Sequence, residues 1–168
     1  KAVIMKFIPF EKITYTSRLP IAEIKERLEN EIQPKANFSF GQKAIATSKK
    51  FEGTVDGNVF QIQRIISYRN SFLPKIDITL AQDLSGSKAT ITFRLLPFVA
   101  IFIGFWLAIV AFAGIALAFF SNNNEDIAFV KFIPVLMIVF GYVMTILAFN
   151  YELNKAKDEL EKIIQIRN

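Results

Sequence analysis

The sequence contains neither cysteine nor histidine among its 168 residues. Without cysteine the chain can form no disulfide bond and offers no thiol nucleophile. Without histidine it lacks the side chain that most readily exchanges protons near neutral pH, and the two commonest zinc-binding side chains are both missing. We therefore predict no catalytic residues, no metal site and no cofactor. The lack of cysteine is compatible with a reducing cytosolic compartment, although a chain without cysteine can also occupy an oxidising one.

Charged residues are nearly absent from two long apolar runs in the second half of the chain, at about 95–120 and 127–150. A helix needs roughly 20 consecutive, mainly apolar residues to cross a bilayer, and both runs reach that length. We therefore predict a two-helix transmembrane hairpin over 95–150, with its turn at 121–126. The chain then divides into a domain of residues 1–94, the hairpin, and a tail of residues 151–168.

The positions of the basic residues predict how the hairpin is oriented. Residues 1–94 carry 15 of the 20 basic residues but only nine of the 15 acidic ones, and further lysines follow the second run. The connecting stretch instead contains Glu125 and Asp126. Under the positive-inside rule, both termini are expected in the cytoplasm and the turn on the other side. The expected location is a bacterial inner membrane or an equivalent membrane.

Two further expectations concern the surroundings of the chain. No secretory signal is predicted at its start, because the apolar stretch 2–10 is short and contains Lys6. The basic surplus of residues 1–94 suits an anionic lipid surface. Nucleic-acid binding is not expected, since the basic residues are scattered and no recognition helix is visible.

Apolar periodicity predicts an α+β fold for residues 1–94. Alternation over 12–19 indicates a strand, and Pro20 opens an amphipathic helix that Pro34 ends. The stretch 35–48 predicts a loop or weak strand. Further alternation, with a turn at Asp56-Gly57, indicates about four antiparallel strands. The predicted fold is a small cytoplasmic antiparallel sheet with one covering helix, followed by the two-helix transmembrane hairpin and a C-terminal amphipathic helix.

The same periodicity predicts which side chains fill the core. The sheet's buried face is expected to consist of Phe51, Phe60, Ile62, Ile78, Ile91 and Phe93, beneath Ile24 and Leu28 of the helix. In the tail, one apolar face comprises Leu153, Ala156, Leu160, Ile163 and Ile164. The tail either continues the second span or bends away from it to dock on the sheet.

One break between strands concentrates cationic and hydrogen-bonding side chains. The candidate residues for binding an anion or a lipid headgroup are Arg64, Arg69, Asn70, Ser71 and Lys75. Arginine presents a rigid fork of donors that suits phosphate. The alternative is structural: Asn70 and Ser71 form the turn, and the arginines pair with nearby carboxylates such as Asp77.

Small residues line one side of the first apolar run, a pattern that lets helices approach closely in lipid. The candidate helix-packing residues are Gly104, Ala108, Ala111, Gly114 and Ala118, together with Gly141 in the second run. They serve either packing within the hairpin or contact with another membrane protein. Neither run carries an ionisable residue near its middle, so an ion path or transport site is not expected.

The order of elements, a strand, a helix, an antiparallel sheet and a final helix, loosely resembles the helix-grip arrangement of START-like lipid-binding domains. A pleckstrin-like membrane domain has a similar number of strands. Our leading hypothesis is a non-enzymatic accessory or scaffold subunit of a larger membrane complex, with the bilayer and other integral membrane subunits, or further copies of itself, as partners. The alternatives are a membrane-tethered module that binds a lipid or small ligand, and an enzyme with an unfamiliar site.

Overall fold

A computed structural model describes residues 7–34, 48–84, 86–120 and 129–164. The strands are β1 (Phe10–Ser17), β2 (Ile32–Pro34), β3 (Phe51–Asp56), β4 (Val59–Arg64), β5 (Lys75–Asp83) and β6 (Gly86–Arg94). The helices are α1 (Ile21–Glu31), α2 (Pro97–Phe120) and α3 (Ile133–Ile164), with a short 3-10 helix (Phe129–Phe132) before α3. The predicted turn at 121–126, and all but Ser48 of the predicted loop or weak strand at 35–48, lie outside the described residues.

The six strands form one sheet in the order β1-β6-β5-β4-β3-β2. All neighbours are antiparallel except β2 and β3, which run parallel, so the sheet is mixed and the expectation of a purely antiparallel sheet is wrong. The difference arises at Pro34. A proline disfavours helical geometry in the residue before it, so the chain leaves α1 at Glu31 and extends as a short edge strand. Ile32, expected on the helix, is therefore buried beside Phe51.

The hairpin between β3 and β4 is where the sequence predicted it, but its turn is shifted by one residue. Asp56 pairs with Val59 as the last residue of β3, so the two-residue loop is Gly57-Asn58 rather than Asp56-Gly57. Gly57 has a φ of 57°, a left-handed conformation that glycine adopts without a steric penalty. The tight turn fixes the register, which pairs Val55 with Phe60 and Gly53 with Ile62.

One face of the sheet is covered by α1 and by the C-terminal half of α3. The predicted core residues of the sheet and of α1 are all buried. They pack together with Phe149, Leu153, Ala156 and Leu160 of α3 in a single hydrophobic cluster. The sheet therefore has two covering helices rather than the one predicted, and the second of them is the tail.

Helix α3 is one continuous element of 32 residues, about 48 Å long at 1.5 Å per residue. No glycine or proline follows Gly141 in this helix, so nothing in the sequence ends it at the boundary of the apolar run. Residues 151–164 of the predicted tail are thus the second half of α3, and their apolar face packs on the sheet. Helix α2 packs against the first half of α3, and both helices are long and apolar enough to cross a membrane.

Candidate functional site

A buried carboxylate lies where the apolar half of α3 meets the sheet. Glu152 is 0% exposed and accepts hydrogen bonds from three side chains. The Nη1 of Arg64 lies 2.7 Å from its Oε2, and the amide nitrogen of Asn70 lies 3.2 Å from its Oε1. The hydroxyl of Tyr68 also donates to Oε1. A buried charge is tolerated when it is paired and hydrogen-bonded, as Glu152 is here.

Arg64 joins this carboxylate to a second one on α3. Its Nε and Nη2 each lie 3.1 Å from an oxygen of Glu159, in the bidentate arrangement that suits arginine and carboxylate. Burial alone would lower the pKa of Arg64, but its hydrogen bonds to Glu159 and the charges of Glu159 and Glu152 raise it. The guanidinium therefore stays cationic and connects the end of β4 to two carboxylates that lie about two turns apart on α3.

Tyr68 adds a protonated hydroxyl to the same network. Desolvation, followed by its hydrogen bond to Glu152, raises the pKa of Tyr68, so the hydroxyl remains a donor at neutral pH. The amine of Lys155 lies 4.1 Å from the ring centre of Tyr151 and 5.7 Å from that of Tyr68. A cation thus stands beside two tyrosines at this junction.

An open groove of about 710 Å³ adjoins the network. It is lined by Tyr68, Arg69, Asn70 and Phe72 from the segment after β4, and by Met144, Leu147, Ala148, Asn150, Tyr151 and Glu152 of α3. Most of the lining is apolar, and the polar groups belong to the segment after β4 and to the end of the apolar part of α3. This combination of apolar walls and a few polar groups is typical of small-ligand sites.

The five residues predicted to bind an anion do not form one cluster in the structure. Arg64 and Asn70 meet at Glu152, so this arginine is paired with two carboxylates of α3 and not with Asp77, the example that the sequence suggested. Arg69 lines the groove, is exposed, and has no ion pair within the described part of the chain. Ser71 is exposed in the adjoining turn.

Lys75 lies apart from the groove, on β5. Its amine donates to the side-chain oxygen of Gln61 at 3.1 Å and lies 3.8 Å from Asp77. Asp77 also pairs with Arg94 at 2.8 Å, which places it in a sheet-surface cluster separate from Glu152. Whether any of the five residues binds an anion stays a prediction.

Sequence reasoning missed the carboxylates of α3, although a signal was present. Glu152 is four residues before Ala156 and eight before Leu160, so it falls on the apolar face of the tail. An acidic residue on a buried face requires a partner, and a cation from the sheet was the natural candidate. The sequence does not show which cation this is, because Arg64 is 88 residues away from Glu152 and only the tertiary fold brings the two together.

The small residues of the two apolar helices have different surroundings. At Gly141 an added Cβ would lie 2.5 Å from the ring of Trp106, and at Gly114 it would lie 3.0 Å from Pro134, so both glycines serve contacts between α2 and α3. Among the described residues, an added Cβ at Gly104 would meet no atom within 4 Å. Ala108 and Ala118 are exposed, and Ala111 is half-buried.

No family model, curated protein or solved structure matches this chain. The resemblance to START-like or pleckstrin-like domains therefore gains no support from a relative. Within the described ranges, no group of three or more histidine, cysteine or acidic side chains could hold a metal ion. The features of the chain that bear on function are therefore the Glu152 network, the groove and the two apolar helices.

Proposed function

We propose that this chain is a two-span integral membrane protein with both termini in the cytoplasm, and that it serves as a non-enzymatic accessory or scaffold subunit of a larger membrane complex. The observation that supports this most directly is the continuity of α3. Its apolar first half is the proposed second span, and its second half forms part of the core of the sheet domain.

A shared helix would fix the domain at a defined height and rotation relative to the bilayer. Two contacts reinforce the junction. Arg64 ties β4 to Glu152 and Glu159, and the hydroxyl of Tyr142 donates to the carbonyl oxygen of Phe7 at 2.5 Å. A domain held rigidly on its span suits a subunit that presents surfaces to partners in a fixed geometry.

The proposed partner surface within the membrane is the open side of α2 around Gly104 and Ala108. Both residues are exposed, and they are four positions apart, so they lie on one side of the helix. Small side chains at this spacing permit close approach of another helix in lipid. Gly114 and Gly141 are not available to a partner, because each faces the other helix of the hairpin.

The double variant Gly104→Leu/Ala108→Leu tests this function because it adds bulk while keeping the surface apolar. Affinity-tagged full-length chains are extracted in a gentle detergent, and co-purifying membrane proteins are quantified. We expect the double variant to insert normally but to lose its partner. Ala113→Leu, which adds similar bulk at an exposed position on the opposite side of α2, should keep it. Retention of the partner by the double variant, or its loss from both variants, would refute the assignment.

A second candidate function is a membrane-tethered module that binds a lipid or small ligand. The groove beside Glu152 favours it, since a volume of about 710 Å³ falls within the range of small-ligand sites. The two functions are compatible, because Gly104 and the groove are on different helices.

A further inference from the structure

We infer that the groove between residues 68–72 and α3 binds one anionic phospholipid from the cytoplasmic leaflet. An acyl chain would lie along the apolar walls, and the headgroup phosphate would contact Arg69. This inference names the ligand of the second candidate function, and it depends on the proposed membrane crossing of α3.

The apolar walls of the groove are continuous with the outer surface of α3. Met144 and Leu147 line the groove and are 46% and 48% exposed, and they lie on a helix apolar enough to cross a membrane. If this half of α3 lies in lipid, an acyl chain enters the groove sideways from the bilayer without crossing water. The bilayer is thus the nearest source of a ligand with the required apolar part.

The polar groups of the groove are at the depth expected for lipid headgroups. The apolar run of α3 ends at Phe149, and Asn150, Tyr151 and Glu152 follow it. Tyrosines concentrate at membrane interfaces, where the ring stays in the apolar layer and the hydroxyl reaches the headgroups. Tyr68 and Tyr151 both line the groove at this depth.

The charges around the groove favour an anionic rather than a neutral headgroup. The negative charges of Glu152 and Glu159 are engaged by Arg64. Two other cations remain close by: Arg69, which lines the groove without an ion pair in the described residues, and Lys155, which stands over Tyr68 and Tyr151. The local balance is three cations against two carboxylates, so a phosphate group adds the missing negative charge.

Native mass spectrometry of the full-length chain in detergent tests the inference. The probes are dioleoyl phosphatidylglycerol, which is anionic, and dioleoyl phosphatidylcholine, which is net neutral. We expect the wild type to retain one phosphatidylglycerol with an affinity about fivefold higher than for phosphatidylcholine, the effect of one basic residue near an anionic lipid. Arg69→Glu should abolish this preference.

Arg18→Glu is the matched control, because it makes the same change of charge at another exposed arginine. Arg18 follows Ser17, whose hydroxyl contacts the carbonyl of Ile164 at the far end of α3, well away from the groove. The control should keep the preference for phosphatidylglycerol. If both variants lost the preference for phosphatidylglycerol equally, the preference would depend on net charge alone, and the proposed site would be refuted.

A second pair of variants tests the apolar wall independently of charge. Ala148→Trp should fill the groove and prevent retention of the lipid, whereas Ala113→Trp, at an exposed position of α2 away from the groove, should not. Undiminished binding by Ala148→Trp would overturn the assignment. A protein dimer that dissociates in Arg69→Glu would instead assign the groove to a second copy of the chain, which also overturns the lipid proposal.

Failure of the lipid site can be told apart from failure of the proposed function. Wild-type chain is first expressed in bacterial cells, and their membranes are washed with alkaline carbonate. Release from the membrane would refute the membrane crossing and with it the proposed function. Retention in the membrane without any preference for phosphatidylglycerol would refute only the groove assignment.

Discussion

The carboxylate of Glu152 connects the sheet to the helix that we propose crosses the membrane. It has no exposed surface, and its partners Arg64, Tyr68 and Asn70 all come from β4 or the segment that follows it. Removing one member of a buried ion pair leaves the other charge uncompensated, which is more costly than loss of a surface pair. This carboxylate is therefore the residue at which a conservative substitution should do the most damage.

We predict that Glu152→Gln lowers the free energy of unfolding by about 3 kcal/mol, at the lower end for a broken buried pair because Arg64 keeps Glu159. Glu23→Gln is the control. Its pair with Arg27 lies at the surface and is partly exposed, so its loss should change the free energy by about 0.5 kcal/mol. Urea denaturation of detergent-solubilised protein, monitored by protease susceptibility, measures both. Similar values for the two variants would contradict the structural role of the network.

Tyr15 predicts a dependence of stability on alkaline pH. Burial, followed by the charge of Glu161, raises the pKa of Tyr15 from 10.0 to about 12. The folded state then holds the phenolic proton more tightly than the unfolded state does. Its contribution to stability is complete below pH 10 and is lost as the pH rises toward 12.

The variant Tyr15→Phe keeps the ring and removes the ionisable hydroxyl. We expect the free energy of unfolding of the wild type to fall more steeply between pH 10 and pH 12 than that of the variant. At pH 8 the two pH profiles should run parallel. Urea midpoints of both proteins, measured from pH 8 to pH 12, test this prediction. If the midpoints of the two proteins fell equally steeply above pH 10, the pKa of Tyr15 would not be raised.

At the scale of elements, α2 and α3 contact each other through glycine. Gly141 faces Trp106 so closely that an added side chain would require the indole to move, whereas Gly104 faces open space. Gly141 is therefore used for packing inside the hairpin, whereas Gly104 is open to the partner that we propose.

We predict that Gly141→Leu disrupts the hairpin and that Gly104→Leu leaves the isolated chain intact. Trp106 is the sole tryptophan, so its fluorescence reports directly on this contact. A shifted emission maximum is expected for Gly141→Leu only. A shift of equal size in Gly104→Leu would mean that the open side of α2 is also used within the chain.

Elements were predictable from sequence where one period persisted over several residues. Apolar and polar residues alternate clearly in the strands from β3 to β6, and the buried face of these strands was predicted correctly. β2 has only three residues, too few to show a period, so its parallel pairing could not be foreseen. The position of Glu152 on an apolar helix face was visible in the sequence, but its partner was not, because Arg64 is 88 residues away and long-range pairing leaves no local pattern.

At the scale of the molecule, the sheet domain and the apolar helices form one packed unit. α2 follows β6 after two residues, and α3 runs from the apolar hairpin into the domain core. A change in the tilt of α3 would therefore move the sheet with it. This coupling gives the proposed scaffold its rigidity, and it brings the groove to the depth of the proposed headgroup layer.

The final prediction concerns the orientation of this unit in the membrane. The lysine and arginine surplus before the first proposed span and the lysines after the second predict, under the positive-inside rule, that the sheet domain lies in the cytoplasm. Because the chain has no cysteine, single cysteines report position without background. Asn58 is exposed at the β3–β4 turn, and position 123 lies in the sequence between the two apolar helices.

We expect Asn123→Cys to react with a membrane-impermeant maleimide in intact cells, and Asn58→Cys to react only after the cells are permeabilised. Labelling in detergent serves as the control that both thiols are accessible. Labelling of Asn58→Cys alone in intact cells would reverse the orientation and place the groove in the outer leaflet. Labelling of both positions in intact cells would mean that the apolar helices do not separate them across a bilayer, and the two-span proposal would fail.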